Sequence, residues 1–419
     1  MFETLQGRTR PHYAWIIFGV CTTVFSMAIG VLYNTQGLYL KPVSSALDVS
    51  VATFTAQSLF YGLAGAMTLP FVARIAQKTN VRILYSGLLA VYCGAYFCMG
   101  LFTKVWMWYI ATFLQGVAGA FVGNTILPFF FNRWFTTKRS SAMGMATAIC
   151  AVVGVLSTVV ANYLIFRHDW RASYRVLGLV ALAVGVPIVA IFLRRDPKDM
   201  GLLPYGVSEE APAETRQQTY DLKIHLLPGE ARIFACVAAL SVLSAIMQSF
   251  VHHLSSYAST IGLSSVVGGS LITCASIGNM GGKFALGLLN ERFGVKRMTL
   301  ATICLLMLSM LLLAFGTRQL LAVYAGAILS GLAMPMIVLQ MPVLTWDMFD
   351  RKRYTAIYNT ISVGSAFMTP AGNTIMGLLY NRFNSYLPCH LLGFGAQLAA
   401  SFILLYAYRL RKRVPMPAD

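Results

Sequence analysis

The chain has 419 residues, of which 57% are hydrophobic and only 11% charged, and its mean hydropathy is +0.67. So few charges exclude an ordinary soluble domain and are typical of a protein that crosses a membrane many times. The net charge of +18 does not call for nucleic acid, because no soluble basic domain accompanies it. The basic residues are instead expected to face anionic head groups of the lipid bilayer.

Apolar runs long enough to cross a bilayer follow one another along the chain. Each span needs roughly 20 mainly apolar residues. Unbroken apolar runs predict helices and not the alternating strands of a barrel, and the first run lacks the cleavage site of a signal peptide. We therefore predict an all-α membrane protein with twelve transmembrane helices, at about 13–37, 51–73, 83–102, 105–130, 140–165, 173–193, 232–253, 263–289, 298–316, 319–344, 355–379 and 386–408.

The longest polar stretch divides these runs six and six. We predict an N-terminal six-helix bundle at 1–195, a partly disordered cytoplasmic linker at 196–230 and a C-terminal six-helix bundle at 231–419. Two six-helix halves joined in this way are used by secondary transporters built from repeats, so we expect pseudo-symmetric halves. We expect the protein to act as a monomer.

Lysine and arginine are divided unequally between the two sides of the predicted spans. The segments on the side of the N-terminus carry clusters such as Arg194, Arg195 and Lys198, whereas the opposite segments carry isolated residues such as Lys41 and Lys104. This bias predicts a multi-pass protein of the plasma membrane with both termini in the cytoplasm.

The ionisable residues give no sign of catalysis. All 14 Asp and Glu fall outside the predicted spans, and the eight cysteines have neither a CxxC pair nor a histidine at ligand spacing. We therefore expect no enzymatic activity, no cofactor and no metal site.

Lys283 is the only charged residue well inside a predicted span. A charge at membrane depth is costly and normally faces a bundle interior or a water-filled cavity, which makes Lys283 a candidate for substrate binding. The alternative is that its side chain snorkels to the surface, since Glu291 and Arg292 follow about two turns later. The nearby small residues Gly278 and Gly282 are expected to be packing positions.

A short motif follows the predicted spans 2 and 8. The second copy runs from Gly287 through Glu291, Arg292 and Gly294 to Arg297; the first, 73–82, has Asn80 and Gln77 in place of the glycine and the acid. The pair resembles the signature loop of the major facilitator superfamily, in which the acid and an arginine can brace neighbouring helix ends.

Further motifs resemble the monocarboxylate transporter and oxalate:formate antiporter group within that superfamily. They are Asn132-Arg133-Trp134-Phe135 and the residues up to Gly144 after span 4, the stretch from Gly30 through Tyr33 to Val43 at the end of span 1, Asp196 to Gly206 after span 6, and His253-Leu254 with Tyr257 and Gly262 at the end of span 7.

This resemblance implies specific roles. Lys283 falls where the group places a basic residue that pairs with the substrate carboxylate, and Tyr33 matches its span 1 pocket tyrosine. The second basic residue of oxalate carriers, in span 11, is absent at 362–366, so the implied substrate is a small organic anion with one carboxylate. Proton-coupled members have an acid where this chain has Asn279, which favours exchange or facilitated uniport.

Other polar residues leave alternatives open. Tyr61 and Gln115 lie in mid-span and serve either the substrate or a hydrogen bond between two helices. His253 and its neighbour His252 are expected to be solvated residues near the outer surface, with gating or pH sensing as the alternative. Besides the organic-anion transporter, two functions stay open: a facilitator-superfamily exporter of drugs or sugars, and a membrane sensor without flux.

Overall fold

The computed structural model describes residues 2–5, 8–123, 125–136, 139–206, 229–349 and 354–412. A short antiparallel hairpin, β1 (Phe2–Leu5) and β2 (Arg8–Pro11), precedes a succession of helices. The helices before residue 207 are α1 (Tyr13–Phe25), α2 (Gln36–Ala46), α3 (Val51–Thr55), α4 (Gln57–Lys78), α5 (Val81–Met99), α6 (Val105–Val122), α7 (Ile126–Trp134), α8 (Arg139–Arg167) and α9 (Trp170–Phe192).

A second series of helices follows residues 207–228, which lie outside the described part of the chain. These helices are α10 (Glu230–Gln248), α11 (Leu254–Thr260), α12 (Ser265–Phe293), α13 (Val295–Phe315), α14 (Leu320–Ala333), α15 (Met341–Met348), α16 (Tyr354–Phe383) and α17 (Leu387–Arg411). Short 3-10 or π-helical segments join some of them.

Each of the twelve predicted spans corresponds to helical structure in the described residues, so the prediction of an all-α membrane protein is confirmed. Within the described residues, nine helical stretches are long and apolar enough to cross a membrane on hydropathy alone, and the other three predicted spans contain α4, α12 and α16. Several helices continue past the predicted ends: α12 reaches Phe293 where the apolar run ends near 289. A helix does not stop where its residues become polar, since its backbone bonds are internal.

The chain forms two compact units. The first comprises Met1–Gln36 and Leu63–Gln218, and the second comprises Gly37–Gly62 and Thr219–Asp419. The second unit contains a buried apolar cluster that α10, α13, α15, α16 and α17 share, with Val237, Ile303, Leu344, Ile361 and Leu404 among its members.

The residues just after α9 are ordered and belong to the first unit, although the sequence predicted a linker from 196 onward. Pro197–Met200 forms a 3-10 turn that Asp196 and Asp199 cap reciprocally, and Gly201 ends it with a φ of 68°. Tyr205 then pairs with the end of α7, because its backbone N–H donates to the Trp134 carbonyl at 2.9 Å. Residues 196–206 of the predicted linker are therefore ordered.

Glycines bring α12 and α14 into backbone contact in the second unit. A Cβ added to Gly278 would overlap the Ile328 carbonyl and lie 3.0 Å from the Leu332 amide nitrogen, and one added to Gly282 would overlap the Leu332 carbonyl. The hydrophobic effect does not drive helices together inside a membrane, so close packing of small residues supplies the attraction. The packing role predicted for these two glycines is confirmed.

A leucine at position 278 is therefore expected to separate α12 from α14. We expect Gly278→Leu to destabilise the protein by about 3 kcal/mol, the upper end of the usual cost of overpacking. Gly287→Leu is the matched control on the same helix, because a Cβ there meets no heavy atom within 4 Å. Thermal unfolding of the two purified variants checks this; equal midpoints would contradict the packing described here.

Candidate functional site

Asn279 and Lys283 lie on one face of α12, four residues apart, and both side chains are half-buried. Residues at this spacing are neighbours on a helix surface. The adjoining Gly282 is buried against α14, so Lys283 lies beside the backbone contact between α12 and α14. Roughly 10 Å along the axis separate Lys283 from Asn290, taking 1.5 Å per residue.

Spans 1, 4, 7 and 10 have interrupted helices in the described residues, and these spans occupy equivalent positions in the two series. In spans 1 and 7, a π-helical segment (Ser26–Tyr33) separates α1 from α2, and a 3-10 turn (Ser249–His253) separates α10 from α11. In spans 4 and 10, α6 breaks at Gly123, and α14 gives way near Pro335 to a π-helical segment, Met336–Gln340. Irregular backbone at membrane depth is tolerated only inside protein or beside a water-filled cavity, and in transporters it marks the binding site.

Tyr33 and Gln115 belong to the first unit. Tyr33 ends the π-helical segment of span 1 and is half-buried. Gln115 is fully buried, and its amide nitrogen donates to the Tyr92 carbonyl at 3.1 Å, which joins α6 to α5. Of the two roles that the sequence left open for Gln115, this geometry supports the link between helices.

His253 is buried in the second unit, so the expectation of a solvated histidine was wrong. Its Nε2 lies 3.0 Å from the Asn373 carbonyl and its Nδ1 lies 3.1 Å from the Tyr386 hydroxyl. A carbonyl only accepts, whereas a phenol keeps its proton at neutral pH and can donate it. The neutral ring therefore carries its proton on Nε2 and accepts from Tyr386 at Nδ1. His253 lies near the end of an apolar run, and the sequence does not show that residues of α16 cover its side chain.

The segment 37–62, which contains the half-buried Tyr61, packs closely on the same region of the second unit. The Asn373 side-chain amide donates to the Ser58 hydroxyl at 2.5 Å, and the Thr374 hydroxyl donates to the Thr55 carbonyl at 3.2 Å. A Cβ on Gly62 would lie 2.7 Å from a Pro370 ring carbon. His253 and Ser58 thus hold Asn373 from two sides, one through its backbone and one through its side chain.

The motif after α12 forms a one-residue turn. Gly294 has a φ of 81°, in the left-handed region that favours glycine, and connects α12 directly to α13. Gly287, Arg292 and Arg297 are exposed, and Arg292 stacks on Phe293 with 5.4 Å from its guanidinium carbon to the ring centroid. The side chain of Glu291 lies outside the described part of the structure.

An amide pair braces this end of the unit. Asn290 donates to Gln340 Oε1 at 2.9 Å, and Gln340 donates back to Asn290 Oδ1 at 3.1 Å and to the Thr299 hydroxyl at 2.8 Å. Gln340 is fully buried. The resemblance to the signature loop implied that an acid and an arginine brace the helix ends. Among the described side chains, the amides of Asn290 and Gln340 link the end of α12 to span 10 and α13.

Arg133 has an equivalent bracing role in the first unit. Its Nη1 lies 3.1 Å from both carboxylate oxygens of Asp196, and its guanidinium carbon lies 4.5 Å from the Phe129 ring centroid. The Trp134 indole N–H donates to the Arg195 carbonyl at 3.1 Å. The end of α7 is thereby tied to the segment that follows α9.

A family model for the Major Facilitator Superfamily matches residues 14–282 and 233–419. The chain belongs to the major facilitator superfamily. Membership agrees with the helix order described above and with a multi-pass membrane protein.

Relatives in this superfamily are distant. The chain is 20% identical to the uncharacterized MFS-type transporter YcxA of Bacillus subtilis (strain 168) over 63% of this chain and 65% of YcxA. It is 23% identical to the riboflavin transporter MCH5 of Saccharomyces cerevisiae (strain ATCC 204508 / S288c) over 58% of this chain and 49% of MCH5. The chain spans between 34% and 65% of the length of the curated relatives it matches.

Solved structures of superfamily members share the fold. A mutant form of the nucleoside transporter NupG aligns with a TM-score of 0.75 at 12% identity and covers 95% of this chain and 100% of NupG. A bacterial homolog to the human lysosomal transporter Spinster, in an inward-facing and unoccupied conformation, gives 0.67 at 13% identity over 98% of this chain and 100% of the homolog. At these identities the likeness concerns the fold alone.

Two features of the structure were not predicted from the sequence. The interruptions of spans 4 and 10 have a sequence signal, because Gly123 with Pro128 and Gly331 with Pro335 fall at corresponding places in the two halves. The partners of His253 have none, since Asn373 and Tyr386 lie more than 100 residues away.

Proposed function

We propose that this superfamily member is a secondary active or facilitative transporter of small organic anions, with monocarboxylates as its substrate class. Lys283 is the cation that binds the substrate carboxylate, with Asn279 beside it. Tyr33 and Tyr61 contribute polar groups. Transport proceeds by alternating access in the plasma membrane, with both termini in the cytoplasm.

The observation that carries this proposal is the position of Lys283. Lys283 is a half-buried ammonium within a membrane-spanning helix, where low-dielectric surroundings strengthen its attraction for an anion. A single cation matches a single carboxylate. A lysine is a compact point charge, so it imposes less geometry on the carboxylate than the fork of an arginine does.

A panel of labelled acids in counterflow is the test of the substrate class. In liposomes with the purified protein, we expect lactate- and pyruvate-like acids to exchange and to compete with one another. Oxalate- and malonate-like diacids should compete at least about tenfold more weakly, because one ammonium leaves their second charge uncompensated. Stronger competition by the diacids throughout the series would reverse the substrate assignment, and exchange of neutral sugars alone would favour the other transporter function.

We further propose that the bonds around Asn373 act as a gate that must open during transport. A hydrogen bond contributes roughly 0.5–1.5 kcal/mol of net stability. His253→Ala removes two such bonds, to the Asn373 carbonyl and to the Tyr386 hydroxyl, and we expect this loss to favour conformations where segment 37–62 has separated from α16. About 1.4 kcal/mol corresponds to a tenfold change in population.

The gate is testable by cysteine accessibility. Thr55 is buried, and Thr55→Cys keeps the backbone carbonyl that accepts from Thr374. In a background without the native cysteines, we expect a membrane-impermeant maleimide to label Thr55→Cys about tenfold faster when His253→Ala is present. The exposed His168 provides the control substitution His168→Ala. Equal labelling rates of Thr55→Cys with and without His253→Ala would show that His253 does not contribute to the gate.

A further inference from the structure

A basic cavity lies in the first unit, where α4 ends, α5 begins and α9 ends. Its volume is ≈ 470 Å³, within the range of ligand sites. Four cationic side chains line it, Lys78, Arg82, Arg194 and Arg195, together with a single acid, Asp199. The N-terminus of α5 also borders the cavity, and Asn80 is its N-cap.

The arginines are held in place by backbone carbonyls. Arg195 donates to the Gln77 carbonyl at 2.5 Å and to the Thr79 carbonyl at 3.1 Å, and Arg82 donates through Nε to the Leu193 carbonyl at 3.1 Å. These carbonyls lie at the ends of α4 and α9, so the arginines satisfy helix C-termini. Binding to these carbonyls accounts for the positions of Arg82 and Arg195. It uses only some of the five N–H donors that each guanidinium carries.

The nearby acids do not balance the charge. Asp196 is paired with Arg133 at 3.1 Å, and the Asp199 carboxylate accepts from the Asp196 backbone N–H at 3.3 Å. Within the described residues, none of the four cavity cations forms a salt bridge. Arg195 Nε is buried there without a hydrogen-bond partner. Four like charges around one cavity repel one another, and an anion between them would relieve that repulsion.

We propose that this cavity binds the phosphate group of an anionic ligand, either a phospholipid head group or a free phosphate compound. Phosphate offers several strong acceptor oxygens and more than one negative charge, which suits adjacent guanidinium groups. The positive N-terminus of α5 adds to the attraction. The cavity lies on the side with the excess of lysine and arginine, which is expected to face the anionic leaflet. It belongs to the first unit, whereas Lys283 belongs to the second.

A matched pair of lysine variants tests the site. Lys78 lines the cavity and Lys198 does not; both are exposed, and each change to Gln removes one positive charge. In the described structure Lys78 makes no hydrogen bond or ion pair, so Lys78→Gln should fold normally. The probes are inorganic phosphate, dihexanoyl phosphatidylglycerol and, as zwitterionic reference, dihexanoyl phosphatidylcholine. The readout is the shift of the thermal unfolding midpoint of the purified full chain with probe concentration.

We expect at least one anionic probe to stabilise the protein, and Lys78→Gln to raise its apparent Kd about tenfold. Lys198→Gln should stay within about twofold of the unmodified chain. Stabilisation by phosphate and by the lipid identifies a free phosphate site, and stabilisation by the lipid alone identifies a head-group site; both support the proposal. Equal effects of the two substitutions, or no more stabilisation by either anionic probe than by phosphatidylcholine, would overturn it.

Discussion

Lys283→Ala is expected to abolish substrate transport while the protein still folds and inserts. The substrate carboxylate loses its cationic partner, and a charge left unpaired in a buried site costs roughly 3–5 kcal/mol. This cost corresponds to a loss of more than about 100-fold in kcat/KM. Uptake of a labelled monocarboxylate into proteoliposomes, at matched protein amounts, is the measurement.

Two further variants make this result specific to Lys283. Lys283→Arg keeps the positive charge, so we expect partial activity, lowered because a planar guanidinium replaces a compact ammonium. Lys104→Ala makes the same substitution at an exposed lysine and should transport normally. Normal transport and affinity in Lys283→Ala would show that the lysine does not bind substrate.

Substrate outside the vesicle is expected to accelerate release of preloaded substrate several-fold. The physical reason is the return step: an empty carrier would carry Lys283 through a closed site without an anion, which is costly in a poorly hydrated cavity. Return with a second anion avoids that cost. In the described membrane-spanning helices, acids occur only in terminal turns, as with Glu230, Glu291 and Asp347, so none lies in the middle of a helix to carry a proton.

Asn279 provides the matched variant for this exchange prediction. It lies one turn from Lys283 on the same face of α12, and Asn279→Asp introduces a titratable group there. We expect an imposed pH gradient to drive little uphill accumulation in the unmodified protein and more in Asn279→Asp. Strong proton-driven accumulation by the unmodified protein, at fixed membrane potential and without substrate inside, would contradict an exchange mechanism.

The membrane fold was predictable because apolar runs and charge bias are strong local signals. The twelve runs identified the helices but not their interruptions, because hydropathy does not distinguish a π-helical segment such as Ser26–Tyr33 from an α-helix. For the segment Met336–Gln340, Gly331 and Pro335 were the available signal. The order of residues 196–206 within the predicted linker was not foreseen, because these residues are polar. Its order comes from contacts that the sequence does not display, such as the edge-to-face rings of Tyr205 and Phe135, 5.8 Å apart.

The candidate site was predictable only in part. Lys283 stands out because a charge inside an apolar run is rare. The position of Asn279 beside it was predictable because the two residues are four apart on one helix. The surroundings of His253 depend on residues from α16 and from the loop before α17. The basic cavity likewise combines the turn between α4 and α5 with the end of α9, more than 100 residues later in the sequence. Such sites are formed by tertiary contacts, so a single sequence shows the residues and not their proximity.

The central claim is that the charge of Lys283 recognises the charge of the substrate. The most direct measurement compares a monocarboxylate with its neutral amide, such as lactate with lactamide, as competitors for binding. Both ligands are tested on the unmodified protein and on Lys283→Ala, so that the change of ligand charge and the change of protein charge form one thermodynamic cycle. We predict that the unmodified protein prefers the carboxylate by about 100-fold or more, and that Lys283→Ala binds both equally weakly. An undiminished preference for the carboxylate in Lys283→Ala would contradict the account.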